Sequence, residues 1–248
     1  MKKLLLFTAL CAAWCAQAQK PNIVGRVTCK GKPVAGVVVS DGEQVVRTNS
    51  DGHYEMHSSK PCGYVFMSIP GGYETATDGL IPRFFGYTTH CDLDVVDFQL
   101  EKRPNDNFTL FISTDTHLRG DPEELDLPQF RKWYLPDISR EIKHTKGPVY
   151  SLHLGDMTTD IMWHKNDFAL RKYLVMKPYP SPIFHIPGNH DNERFVDPAV
   201  PDAQWDSIAQ RPYRQIIGPN YYSFNLGKVH FVMLDNIIVR KGALKNGR

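Results

Sequence analysis

Three short motifs lie in order between Phe108 and Asp191: Asp115-Thr116-His117, Gly155-Asp156 and Gly188-Asn189-His190-Asp191, each directly after a short apolar run. Carboxylate, imidazole and amide groups of this kind are ligands for divalent cations. Asp115 and His117 stand two apart, so at the start of an extended loop both face one cavity. Gly155 permits a sharp turn that projects Asp156 with both oxygens free to bridge two ions. Asn189 adds a neutral amide oxygen to the second. Two such ions about 3.5–4 Å apart clamp a phosphoryl group and generate hydroxide from bound water at neutral pH. His190 is placed to donate a proton to the leaving oxygen, with Asp191 beside it to hold the imidazole. The ligand mix suits Mn²⁺, Fe or Zn²⁺ and does not choose among them. His164, after the Asp156 loop, is the candidate for substrate contact, whereas His153 and His185 sit inside strands and read as packed side chains. No Ser-His-Asp set and no phosphate-cradling Gly-rich loop competes for the chemistry.

The elements that must carry these motifs alternate. Phe108 to Ser113, Val149 to Leu154 and Ile183 to Ile186 are the apolar runs of buried strands. Between them, Pro128 to His144 and Asn166 to Met176 show helical spacing, the first with a kink expected at Pro136. Consecutive βα units imply a largely parallel sheet, and all three motifs then fall at the carboxyl ends of its strands, where open α/β sheets collect their functional groups. Tyr221 to Leu226 and Val229 to Leu234 flank Gly227-Lys228, which predicts a two-residue hairpin.

Before Glu101 the pattern is different. Ile23 to Val27, Val34 to Val39, Gln44 to Thr48 and Gly63 to Ser68 are short β-branched runs, punctuated by Lys30-Gly31, Asp41-Gly42 and Asp51-Gly52. Together with a closing strand over Asp94 to Leu100, they predict a small β-sandwich. The expected organisation is a leader at 1–18, a β-sandwich accessory domain at 19–100, a linker at 101–107 and the α/β part at 108–248.

Met1 to Ala18 has two lysines, an apolar stretch and Ala16-Gln17-Ala18, the pattern of a secretory leader. Export to a periplasmic or surface location follows, with lipid attachment at Cys11 or Cys15 as the weaker alternative. Without Lys2 and Lys3 the 29 basic residues fall to 27, equal to the 27 acidic ones, so electrostatic attraction to nucleic acid is not indicated. No later segment is apolar enough to span a membrane. Cys29, Cys62 and Cys91 remain after the leader, leaving open one disulfide of unspecified pairing or three buried thiols. Tyr64, Tyr73, Phe84, Phe85 and Tyr87 offer either a glycan- or partner-binding face or core.

Two resemblances attach to these residues. Gly25-Arg26-Val27, Gly31 to Val37 and Thr48 to Tyr54 resemble the carboxypeptidase-regulatory type of extracellular β-sandwich. From Asn107 to about Asn236, including the stretch from Gly218 to Asp235, the chain resembles the calcineurin-like metallophosphoesterase superfamily, in its secreted bacterial form with an N-terminal β-sandwich. The resemblance implies a four-layer sandwich of two sheets with flanking helices, a dinuclear centre, and direct attack of a metal-bound hydroxide on a phosphorylated small molecule. Carried over by motif, Asp115, His117, Asp156 and Asn189 correspond to metal ligands and His190 to the catalytic histidine. A further histidine and a closing Gly-His-x-His of the family do not occur, so a chain cut at its C-terminal end is expected, with the second ion the weaker. The alternatives are a non-catalytic binding protein or an inactive metal-binding fragment.

Overall fold

Short β-branched runs separated by turn residues fold locally into antiparallel pairs, and the first hundred residues do so. The computed structural model describes residues 19–60, 63–89, 93–118, 126–158, 179–193 and 195–241. The leader, Cys62, Cys91, His164 and the expected Asn166 to Met176 helix lie outside them. One N-terminal sheet is built on the strand Ile23–Cys29, which pairs antiparallel with His53–Met56 and parallel with both Asp94–Val95 and Phe98–Lys102. The expected closing strand is thus two pieces, interrupted at Val96 and Asp97. The interruption is used: Tyr54 donates its hydroxyl to the Val96 carbonyl at 2.6 Å, and Asp97 Oδ1 accepts the Arg26 N–H at 2.7 Å. A second sheet runs Phe85–Thr88, Gly63–Met67, Val38–Ser40, Val45–Arg47. Ile23, Val27, Tyr54 and Phe98 from one sheet and Val39, Val65 and Met67 from the other share one hydrophobic cluster.

The second half carries the three expected parallel strands, Thr109–Ser113, Val149–His153 and Ile183–His185, in that spatial order. Alternate residues of a strand point to opposite faces. On one face Phe111, Val149 and Ile183 meet Phe130, Leu135 and Ile142 of the helical segment. On the other, Leu110, Tyr150, Leu152 and Phe184 meet the Tyr222–Leu226 and Val229–Met233 hairpin, closed by Gly227-Lys228 as predicted. Phe184 stacks on Phe224 at 3.8 Å, and Phe224 on Phe231 at 5.0 Å.

The helical segment differs from its expectation in one respect. Ahead of Pro136, a π-helical turn at Phe130–Tyr134 joins Asp126–Gln129 to Leu135–His144, and the Leu135 N–H reaches back five residues to the Phe130 carbonyl. Pro136 has no N–H for an ordinary helical bond, and its ring crowds the carbonyl four residues earlier. Widening the preceding turn removes the conflict.

The boundary near Asn105 does not interrupt packing. The two halves contribute to the same hydrophobic cluster, with Phe84 against Tyr222 at 4.7 Å between ring centres. Asn105 is 1% exposed; its Oδ1 accepts the N–H groups of Gly72 and Gly227, and its Nδ2 donates to the Tyr150 hydroxyl. The aromatic residues offered as a binding face are largely spent here. Tyr64 and Phe84 are buried, and the Tyr87 hydroxyl lies 3.0 and 2.9 Å from the Arg214 and Gln215 carbonyls. They join the halves because aromatic area adjacent to a second apolar surface is more stable covered than wet.

Asn105→Ala would remove the partner of two part-buried N–H groups, at a cost of about 2 kcal/mol. The expected outcome in urea is an earlier midpoint with a single transition for both halves; two separated transitions would contradict a shared core.

Candidate metal centre

The three motifs emerge side by side because their strands are in parallel register, Ser113 opposite His153 and His153 opposite His185. Beyond the strands the first two loops stay paired: Asp115 N–H bonds the Gly155 carbonyl at 3.0 Å, His117 N–H that of Asp156 at 2.9 Å, and Leu118 N–H that of Met157 at 3.0 Å. Asp115, His117 and Asp156 all have left-handed backbone, with φ of 55°, 44° and 53°. That region costs a side-chain-bearing residue about 1–2 kcal/mol. Three such residues within one pair of loops mark a backbone held in place by its surroundings.

The second and third loops touch through glycine. A Cβ on Gly155 would stand 2.4 Å from the Gly188 nitrogen, and one on Gly188 would stand 2.1 Å from Asp156 Oδ1. The third loop enters a single 3₁₀ turn, Asn189–Asp191. Asp156 Oδ1 accepts the His190 N–H at 2.9 Å, which fixes that oxygen and leaves Oδ2 facing His117 Nε2 at 3.6 Å. The His117 and His190 rings meet edge to face at 4.7 Å. One ligand atom each of His117, Asp156 and His190 falls within 4.8 Å of the others. Two imidazoles and a carboxylate gathered so closely fit a divalent cation.

The remaining expected residues stand around this group. Asp115 is exposed, with Oδ1 3.5 Å from His117 Nε2 and Oδ2 accepting the Thr114 hydroxyl at 2.6 Å. The Thr114 bond, with His117 adding to it, holds the Asp115 carboxyl below the usual carboxylate range. Asn189 is exposed on the 3₁₀ turn. His164 is outside the described residues.

Asp191 ties the loops together. It is fully buried, and both oxygens accept main-chain donors: Oδ1 from Met157 at 3.0 Å and Thr158 at 3.3 Å, Oδ2 from Gly188 at 2.9 Å. A carboxylate flanked by turn N–H groups satisfies buried main-chain donors that have no other partner. It therefore fastens the Gly188 loop to the Asp156 loop. Burial pushes its carboxyl up to about 7, against the opposing pull of the Gly188 and Thr158 N–H bonds.

His153 belongs to the same frame. It is 4% exposed; Gly155 N–H faces its Nδ1 at 3.3 Å, and Thr116 Oγ1 lies 3.3 Å from its Nε2. Burial drives the ring down to about 4, so it is neutral near pH 7. Sequence position alone identified a packed strand histidine; its contacts to two motif loops depend on the register between strands.

Comparison with known proteins agrees with this geometry. A group that could hold a metal ion, at the carboxyl ends of parallel strands, and the family matches together support a metal-dependent phosphoesterase. The family model described as calcineurin-like phosphoesterase matches residues 108–245, and that described as the N-terminal domain of calcineurin-like phosphoesterase matches residues 21–103. The chain belongs to the calcineurin-like phosphoesterase family. No curated protein and no solved structure matches it. Among the described residues, no helix is long and apolar enough to cross a membrane.

Two outcomes test the frame. Gly188→Ala, whose Cβ would occupy the space of Asp156 Oδ1, should abolish Mn²⁺ binding in titration calorimetry; unchanged binding would show that the loops separate freely. In metal-free protein, His153 has a folded pKa of about 4 against 6.5 unfolded. The unfolded chain therefore takes up the proton first as pH falls. The stability from the neutral ring is complete above pH 6.5 and is lost as pH falls through 4, at most about 3 kcal/mol. His153→Phe should flatten that acid branch of the stability curve.

Proposed function

We propose that the chain is an exported hydrolase that cleaves phosphoester bonds of a phosphorylated small-molecule substrate with a dinuclear metal centre. Asp115, His117 and Asp156 would hold one ion and Asp156 with Asn189 a second, and His190 would donate a proton to the leaving oxygen. The observation that carries the reading is the convergence of His117, Asp156 and His190 at the ends of parallel strands within a calcineurin-like phosphoesterase domain. Bound divalent cations would offset phosphate charge and make the attacking water more acidic.

The chain's own residues supply position. The Asp156 carboxylate restrains the His190 main chain through Oδ1, so His190 has a fixed origin from which to reach the leaving group. Such preorganisation matters because no reorganisation is then required as charge develops. His117 lies 3.6 Å from the other Asp156 oxygen and meets the His190 ring edge to face, so ligand and proton donor are neighbours at one carboxylate. The Lys2-Lys3 start, apolar run and Ala16-Gln17-Ala18 support export.

Metal analysis should be paired with hydrolysis of aryl phosphate mono- and diesters with added Mn²⁺. Asp156→Asn is expected to lose bound metal and at least ~100-fold in turnover. His190→Asn should keep its metal and slow poor leaving groups most, by roughly 100-fold. Loss of metal from His190→Asn would make it a ligand instead of the proton donor, and full turnover in Asp156→Asn would reject the reading altogether.

A further inference from the structure

We propose that Thr116 and His153 form a positioning pair that holds the Asp115-Thr116-His117 loop in its metal-receiving conformation, an inference that rests on the metal-centre reading above. Thr116 is the middle residue between two candidate ligands, and both neighbours have left-handed backbone. The Thr116 side chain faces the end of the Val149–His153 strand and the Met157 main chain. There its hydroxyl meets two groups, the Met157 carbonyl at 3.0 Å and His153 Nε2 at 3.3 Å.

The donors and acceptors in this chain admit one assignment. Gly155 N–H points at His153 Nδ1, so Nδ1 carries the lone pair and Nε2 the hydrogen of the neutral ring. Nε2–H then donates to Thr116 Oγ1, and the single hydroxyl proton goes to the Met157 carbonyl. The contacts run from the Gly155 main chain through the imidazole and hydroxyl to the Met157 main chain, on either side of Asp156. One side-chain pair thus spans the residues flanking the bridging carboxylate and pins the centre of the facing loop. The Leu118 N–H, bonded to the same Met157 carbonyl, continues the attachment on the far side of His117.

The pair touches no ion and reaches the centre only through the residues it holds. Groups outside the coordination shell that orient ligands commonly change metal affinity by about 10–100-fold when removed. Thr116→Val keeps the branched shape and removes the hydroxyl; Thr116→Ser keeps the hydroxyl. His153→Phe keeps a ring and removes both nitrogens.

The test is Mn²⁺ titration calorimetry on the metal-stripped full chain at a temperature where every variant is folded. Thr116→Val and His153→Phe should weaken Mn²⁺ binding by about 10-fold or more, and Thr116→Ser should bind within about 3-fold of the unmutated chain. Asn105→Ala, destabilised at a point apart from the loops, should bind as the unmutated chain does, separating lost stability from lost positioning. Equal affinity of Thr116→Val and the unmutated chain would overturn the pair while leaving the metal centre intact. An unmutated chain that does not bind Mn²⁺ would overturn the metal reading itself, and the pair with it.

Discussion

The close approach of the Asp156 and Gly188 loops sets the geometry of the centre. Gly155 and Gly188 lie so near that neither position has room for a Cβ, and Asp191 closes the contact by accepting three main-chain N–H groups from both sides. Fastening buried main-chain donors in this way removes an unsatisfied-donor cost of about 1–3 kcal/mol each. In return the His190 backbone comes within a hydrogen bond of Asp156, and its ring comes beside His117. The site is thus organised by main-chain contacts first, and the side chains facing the cavity inherit their positions.

That arrangement needs a sheet whose strand ends cannot slide. Parallel register places Ser113, His153 and His185 level, and packing on both faces holds it: the Leu135–His144 helix on one side, the Phe224 and Phe231 stack on the other. The N-terminal β region adds to the second side through Phe84 and through Asn105, which bonds to main chain from both halves. It therefore stabilises the sheet that carries the metal loops, a closer involvement than a tethered accessory module would have. Part of the aromatic set offered as binding face or core explains why: Tyr64 and Phe84 are buried, Phe84 against Tyr222 and Phe184, and they supply apolar area to that contact.

Much of this was legible in the chain. The apolar runs at 108–113, 149–154 and 183–186 gave the strands, Gly227-Lys228 gave the hairpin, and the ordered motifs gave the calcineurin-like phosphoesterase resemblance that the family match bears out. These succeed because hydrophobic periodicity and turn preference are local, acting over a few residues. The π-helical turn at Phe130–Tyr134 was not foreseen, because proline acts on the turn before it, and the interrupted strand at Val96 and Asp97 has partners some seventy and forty residues away, Arg26 and Tyr54.

By itself the sequence determined which residues have metal-binding chemistry and that they follow strands, since residue type and local pattern are properties of short segments. Only the tertiary structure decided that Asp191 fastens loops, that His153 meets Thr116, and that Gly188 must lack a side chain. Each depends on which main-chain groups two separate loops present to each other, and that is fixed by strand register and packing across the whole sheet.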